Sequence, residues 1–273
     1  MKNAIKQRKS MRSYNGVALT DKDEQRIQAY ISNPDNLKGI FGNEIKLYLN
    51  KSDGHKVEKI GTYGIIKKAP AYLVTVSKTS KEALVDCGYV FEKLVLYLES
   101  IGLNTCWLGG TFNRNKINVE GAVGSDEMIP IISPVGYGAK KRTVVDKTFR
   151  KLAKSDQRKE FDTLFFKNDF NHRIEEPSLR EVLEQVRIGP SASNEQPWRV
   201  VMTSDGKAHF YIGRTPDYGK GRLSYDIQMV DIGIALSHYE IMVEGLSFEV
   251  KDPGISVLND ETSYVVSAKR QEG

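Results

Sequence analysis

Apolar residues recur along this chain with two periods, and the switches between them mark its elements. Residues 2–9 open as a short helix. "TDKDEQRIQAYI" (20–31) predicts a second, with Thr20 as N-cap and acids in the first turn. "EIKLYL" (44–49) and "AYLVTV" (71–76) read as strands, the latter straight after Pro70. "ALVDCGYVFEKLVLYLESI" (83–101) is apolar almost all round, which predicts a helix buried on most faces, with Gly102 as its left-handed C-cap. "IPIISPVGYG" (129–138) predicts a buried strand ending in glycine. In "SLREVLEQVRI" (178–188), Leu179, Val182, Leu183 and Val186 share one helical face. Strands follow at 198–202 and 209–213, then a long amphipathic to buried helix over 226–245, then strands at 247–250 and 263–268.

The stretch 139–178 breaks this pattern. It is charge-rich and weakly periodic, and reads as a partly helical arm lying on the surface. On either side of it the two long helices echo each other. Both open with Val-Asp-x-Gly, at Val85 and at Val230. Both carry a glutamate thirteen residues after that aspartate (Asp86 to Glu99, Asp231 to Glu244), and both close with Gly-Leu. The pattern predicts an α+β fold made of a duplicated strand-then-helix unit packed about a pseudo-two-fold axis. The expected organisation is a first half over 1–150, a connecting arm over 151–177 and a second half over 178–273, forming one compact unit.

Composition narrows the class. Hydrophobic residues make up 40% of the 273, aromatics 9%, and charged residues 27% with both signs interspersed. The net charge of +5 favours an anionic ligand locally but is not the concentrated basic stripe of a nucleic-acid binder. Two cysteines, Cys87 and Cys106, lie in apolar surroundings and fit a reducing compartment. No apolar run reaches the length of a membrane span, and "MKNAIKQRKSMRSY" lacks a signal-peptide core, so a cytoplasmic protein is expected.

Four segments carry candidate chemistry. "RKSMRSY" (8–14) places Arg8, Lys9, Arg12 and the Ser10 hydroxyl within five residues, a set that can clamp a phosphate or serve only as an exposed basic segment. "GAKKR" (138–142) puts Lys140 and Arg142 just beyond a strand, as ligand contacts or as a solvated turn. "CWLGG" (106–110) offers two glycines whose backbone can be closely approached, or a tight turn. "GPSASNEQPWR" (189–199) crowds Ser191, Ser193, Asn194 and Gln196 between a helix end and Trp198. Ordinary turn formers would do as much, but a buried tryptophan would make the loop rigid, as a binding site needs. His55, His172, His209 and His238 are scattered, and no metal site or acid–base catalyst is assigned.

Together "RKSMRSY", "KKAPAYLVTV" (67–76), "GLNTCWLGG" (102–110), "PVGYGAKKR" (134–142) and "GPSASNEQPWRVV" (189–201) resemble the FMN-dependent nitroreductase family, from Lys6 to about Leu246. The Pro-Ser-x-x-Asn-x-Gln-Pro-Trp segment is the most specific. In usual members that loop closely follows the Arg-rich segment. Here it lies in the second half, and "YISNPDNLKGIFGNEI" (30–45) stands in its former place. The family's flavin site is shared between subunits, so the resemblance implies a fused intrachain pseudo-dimer that kept one of two sites, with central antiparallel-rich mixed sheets and long buried helices. Carried over, Arg8, Lys9, Ser10 and Arg12 would hold the FMN phosphate, ribityl chain and ring edge. Lys140 and Arg142 would complete the phosphate clamp, and Leu108, Gly109 and Gly110 would line the ring. Pro190, Ser191, Ala192 and Asn194 would close the site from the other half. The implied activity is ping-pong electron transfer from NADH or NADPH through FMN to a nitroaromatic, quinone or similar acceptor. A flavin reductase or dehalogenase, and a flavin-binding protein without turnover, are the alternatives. The expected partner is a small-molecule electron acceptor, with no nucleic acid and no membrane. The chain is expected to be monomeric or weakly self-associating.

Overall fold

The computed structural model describes residues 1–51, 62, 64–117, 119, 123–139 and 157–271. Five α-helices are described: α1 (Lys2–Gln7), α2 (Asp21–Ile31), α3 (Lys81–Ser100), α4 (Pro177–Arg187) and α5 (Ile227–Met242). The strands are β1 (Lys46–Lys51), β2 (Ala71–Lys78), β3 (Asn104–Thr105), β4 (Glu127–Met128), β5 (Ile132–Gly136), β6 (Phe165–Lys167), β7 (Trp198–Met202), β8 (Ala208–Gly213), β9 (Leu246–Glu249) and β10 (Thr262–Arg270). Local chemistry sets the helix starts. Thr20 Oγ1 accepts from Asp23 N–H, Ser80 Oγ from Ala83 N–H, and Asp226 Oδ1 from Gln228 N–H. Gly102, at φ 85°, takes the left-handed turn after α3.

The strands form two sheets. The first runs β1-β2-β5-β3, with β4 also on β2; the second runs β6-β7-β8-β10-β9. In each, the long helix follows the second strand of the β1-β2-β5-β3 or β7-β8-β10-β9 path. Among the described residues every ladder is antiparallel except β6 on β7. The second sheet is thus mixed and both are antiparallel-rich, in an α+β fold, as expected.

Helices α3 and α5 lie back to back between the sheets. The two Val-Asp-x-Gly segments make this contact. A Cβ on Gly88 would fall 2.0 Å from the Val230 carbonyl oxygen, and one on Gly233 would fall 2.0 Å from that of Val85. The helices therefore touch backbone to backbone, and each glycine meets the valine that precedes the other. No described helix is long and apolar enough to cross a membrane.

The surface arm is corrected in its described part. Phe161, Leu164, Phe165, Phe166, Phe170 and Ile174 are all buried, and β6 extends the second sheet in parallel beside β7. Its charges are interleaved with short apolar pieces, which hides a three-residue strand from any periodicity reading. Most of the rest of the arm lies outside the described residues. Helix α5 also ends at Met242 rather than 245, because Val243 leaves the helical region at ψ 92°.

Candidate functional site

After α1 the Arg-rich segment runs extended along the first sheet. Met11 N–H donates to Thr105 O (2.8 Å), Lys67 N–H to Arg12 O (2.8 Å) and Tyr14 N–H to Lys67 O (2.9 Å). Ala139 N–H donates to Ser13 O (2.9 Å) and Asn15 N–H to Tyr137 O (3.0 Å). The strand end leading to Lys140 and Arg142 is thereby joined to Ser13. Those two cations lie outside the described residues. Lys9 is exposed; Ser10 and Arg12 are half-buried.

Arg8 turns inward. Its side chain is 6% exposed, its Nε lies 3.9 Å from Glu92 Oε1, and its buried Nη1 has no hydrogen-bond partner. Glu92, on α3, is fully buried. Its Oε2 accepts from Trp107 Nε1 (2.8 Å), and its Oε1 stands 2.9 Å from His238 Nε2 on α5. The other ring nitrogen of His238 is 2.7 Å from the Gln185 carbonyl at the end of α4. The imidazole also borders Gly189, where the polar loop begins.

That loop is rigid, and largely satisfied by its own chain. Ser191 Oγ accepts from Gln196 N–H (2.9 Å), and Gln196 Nε2 donates to Asn194 O (2.9 Å). Asn194 Nδ2 donates to Gln157 O (2.9 Å), Arg158 Nη1 to Asn194 Oδ1 (3.2 Å), and Lys159 N–H to Gln196 Oε1 (2.9 Å). Ser193, Asn194 and Gln196 all hold positive φ (48°, 63° and 46°), a costly arrangement that persists because these bonds over-determine it. Trp198 beneath is fully buried. The side chains of Asn194 and Gln196 thus clamp segment 157–159, while Pro190, Ser191 and Ala192 stay half-buried.

Ala192 N–H is anchored by Asp231 Oδ1 (2.9 Å) on α5. Asp86, at the matching place on α3, accepts from Phe41 N–H, Asn43 N–H and Asn43 Nδ2 (3.0, 3.0 and 2.9 Å). Segment 39–43, in the place of the missing loop, therefore docks on α3 as 190–196 docks on α5. Asp86 has both oxygens satisfied, whereas Asp231 Oδ2 has no partner. Burial drives the Asp231 carboxyl well above its ordinary value of 3.8. The folded state then holds a proton that the unfolded chain releases, so stability is lost as pH rises from 3.8 towards the folded value. Asp231→Asn is expected to be more stable than the parent at pH 8. The gain should vanish at the acid end of the window. Urea unfolding at several pH values checks this, and parallel curves for the two proteins would contradict it.

The Gly-Gly segment also meets α5. Leu108 is buried and bridged to Ile132. A Cβ on Gly109 would fall 2.2 Å from Ile227 Cδ1, and one on Gly110 would meet Leu223 at 3.7 Å. Arg114 Nη2 donates to Gly109 O (2.6 Å), and Tyr225 OH donates to Pro130 O (2.7 Å). The close approach that Gly109 permits is thus taken by Ile227 of this chain.

Helix α5 is the common spine. Ile227 meets Gly109, Asp231 meets Ala192, and His238 connects through Glu92 to Arg8, about 16 Å along the axis from Ile227. Glu92, His238 and Asp231 were absent from the sequence-based site. The available signal was weak: Glu92, like Asp86, is an acid within a largely apolar helix. His238 has no motif around it.

A family model described as "Putative TM nitroreductase" matches residues 1–243. A crystal structure of a "putative nitroreductase" from Thermotoga maritima MSB8 aligns with TM-score 0.60 at 18% identity, over 98% of this chain and 92% of that one, and shares its fold. A nitroreductase family protein from Clostridium novyi NT aligns with TM-score 0.40 at 20% identity, over 53% of this chain and 89% of that one. One from Streptococcus pneumoniae TIGR4 gives TM-score 0.41 at 14% identity, over 53% and 96%. No curated protein matches. The chain belongs to the nitroreductase family whose model spans residues 1–243.

Proposed function

We propose that this chain is an FMN-dependent NAD(P)H oxidoreductase of nitroreductase type, with one flavin pocket between two fused halves. The observation that carries the reading is Arg8: a guanidinium removed from water, with Nη1 unpaired and the nearest carboxylate oxygen at 3.9 Å. A buried unpaired donor of this kind is costly, and a ligand phosphate would satisfy it. The resemblance to FMN-dependent nitroreductases favours FMN as the ligand with such a phosphate.

The residues fit the phosphate end of FMN. Arg8, Lys9, Ser10 and Arg12 would hold the phosphate and ribityl chain. Lys140 and Arg142 would join them, since the strand end before them is bonded to Ser13. Pro190, Ser191 and Ala192 would form the second wall. Asn194 would contribute only by exchanging its bonds to residues 157 and 158. Leu108, Gly109 and Gly110 would line the ring after Ile227 gives way. The chemistry a bound flavin supplies is hydride acceptance from NADH or NADPH and electron delivery to a nitroaromatic, quinone or similar electron-poor acceptor. The repeated strand order and the reciprocal Gly88 and Gly233 contacts support a fused pseudo-dimer acting as a monomer.

Arg8→Ala is expected to weaken FMN binding about 10- to 100-fold, the loss of one charge-assisted hydrogen bond, and to leave riboflavin, which lacks the phosphate, unchanged. Flavin fluorescence quenching measures both, and equal FMN affinity in parent and variant would refute the assignment. A second reading, flavin binding without turnover, is favoured by Ile227 filling the Gly109 face. Anaerobic NADH or NADPH added to the FMN-loaded protein separates the two: bleaching of the flavin bands supports the reductase, and persistent bands support a store or sensor.

A further inference from the structure

The two strand-then-helix units differ at one connection. In the first, β2 passes to α3 through residues 79–80 alone; in the second, β8 passes to α5 through residues 214–226. The longer connection belongs to the unit that carries the Pro-Ser-x-x-Asn loop, and it lies across both walls of the candidate pocket.

Its base is fixed. Arg214 N–H donates to Glu261 O (3.0 Å), and the Arg214 guanidinium bonds Asp226 Oδ2 through Nε and Nη2 (3.1 and 3.0 Å), which pins the two ends of the connection together. The span between is a compact loop built of turns. Asp217, Gly219 and Gly221 hold left-handed φ (57°, 77° and 73°). Asp217, Lys220, Gly221 and Arg222 are exposed, whereas Tyr218, Leu223 and Tyr225 are half-buried. The loop folds around a cavity of about 640 Å³ that Gln228 and Glu261 also border, so packed side chains do not fill it.

Its contacts with the walls are few and exchangeable. On the second wall, Tyr218 OH donates to Ser193 Oγ (2.8 Å) and Thr215 Oγ1 to Glu195 Oε2 (2.9 Å). On the first, Tyr225 OH donates to Pro130 O (2.7 Å) and accepts from Arg114 Nη2 (2.8 Å), and Leu223 lies beside Gly110. Among the described residues no backbone–backbone hydrogen bond joins the loop to either wall. Release strands no buried carbonyl, because Pro130 O keeps Arg114 Nη2 at 3.2 Å. Ile227, which fills the Gly109 face, is the next residue in the chain, so the loop adjoins the point that must clear for a ring.

We propose that residues 214–226 are a hinged strap that closes the ring side of the flavin pocket and swings off Ser193 and Gly110 before a flavin enters. The inference rests on the flavin reading above. The closed strap joins the two walls through the segments assigned to the ring and to the second wall, so strap and ring exclude each other there. The measured flavin affinity is then the intrinsic affinity scaled by the fraction of molecules whose strap is open. Weakening the grip of the strap raises that fraction and tightens binding.

The test measures FMN and riboflavin affinity, by fluorescence quenching, in the parent, Tyr218→Phe, Tyr225→Phe and the double variant. Each substitution removes one hydroxyl bond to a wall and keeps the ring. Each is expected to tighten binding about three- to tenfold, the equivalent of one neutral hydrogen bond, and the double variant by roughly the product of the two. FMN and riboflavin should gain alike, because the strap covers the ring side and not the phosphate. Unchanged or weaker binding of both flavins in the double variant overturns the proposal, as does a gain confined to FMN. If no protein in the set binds either flavin, the flavin function above fails, and the strap is read with trypsin. Cutting after Lys220 and Arg222 tracks the open population when opening is fast. Faster cutting there in the double variant, at an unchanged melting temperature, then supports the hinged strap. Equal cutting, or a lowered melting temperature with cuts throughout the chain, overturns it.

Discussion

Gly233→Ala is expected to be the most damaging single-methyl change in this protein. Its Cβ would stand 2.0 Å from the Val85 carbonyl oxygen, 2.5 Å from Tyr89 N and 2.9 Å from Gly88 Cα. All three are backbone atoms of α3, so no side chain can rotate away. The helices must separate, and α3 and α5 are the shared floor of both sheets: Val85, Val90, Leu94, Ile232, Ala235 and Leu236 would all loosen with them. Overpacking a core usually costs about 1–3 kcal/mol. A clash between two helix backbones belongs with the exceptional cases above about 4 kcal/mol. The variant should lose most of its stability or fail to accumulate as folded protein, whereas Gly245→Ala, whose added Cβ meets nothing within 4 Å, should cost only the strain of φ 73°. Thermal unfolding of the two variants compares them. A Gly233→Ala protein that melts within a few degrees of the parent would show that the helix crossing is not tight.

Glu92→Ala is expected to rank second. The carboxylate is fully buried and serves Trp107 Nε1, His238 Nε2 and the edge of Arg8 together. Truncation leaves the indole N–H and the Arg8 charge unpaired in a dry site, and breaking a buried ion pair from one side costs about 3–5 kcal/mol. Glu92→Gln should be far milder, because the amide oxygen still accepts from Trp107 and the amide N–H can donate to the neutral imidazole. Urea unfolding midpoints at pH 7 for the parent, Glu92→Gln and Glu92→Ala should fall in that order. Equal losses for the two variants would mean that side-chain volume, not hydrogen bonding, is what Glu92 contributes.

These two positions differ in how far the linear order reveals them. Gly233 is visible as half of a recurring Val-Asp-x-Gly pattern, and the two copies of that pattern meet each other at the helix crossing. Glu92 is one of several charges in a largely apolar helix, and nothing local says which partners it meets. Its three partners come from Arg8, Trp107 and His238, up to 146 positions away.

The α+β class, the two long buried helices, most strands and the Pro-Ser-x-x-Asn loop were legible in the sequence. Each rests on information within one element: period, caps, and turn residues at fixed spacing. Strand β6 escaped because three residues carry no period and its apolar faces alternate with charged turns. The loop residues were legible as a cluster but not by what they bind. Asn194 and Gln196 carry donors and acceptors that suit a ligand as well as a neighbouring strand of chain, and only the fold shows that residues 157–159 lie against them. Gly109 likewise reads as an open backbone until Ile227, 118 residues away, closes on it. The sequence by itself determined which segments fold and which glycines the two echoing helices carry at their crossing. Tertiary structure alone decided which buried groups are paired and which are left wanting a partner. Pairing is a property of distance in space, and hydrogen bonds of about 3 Å between distant segments leave no periodic trace in the chain.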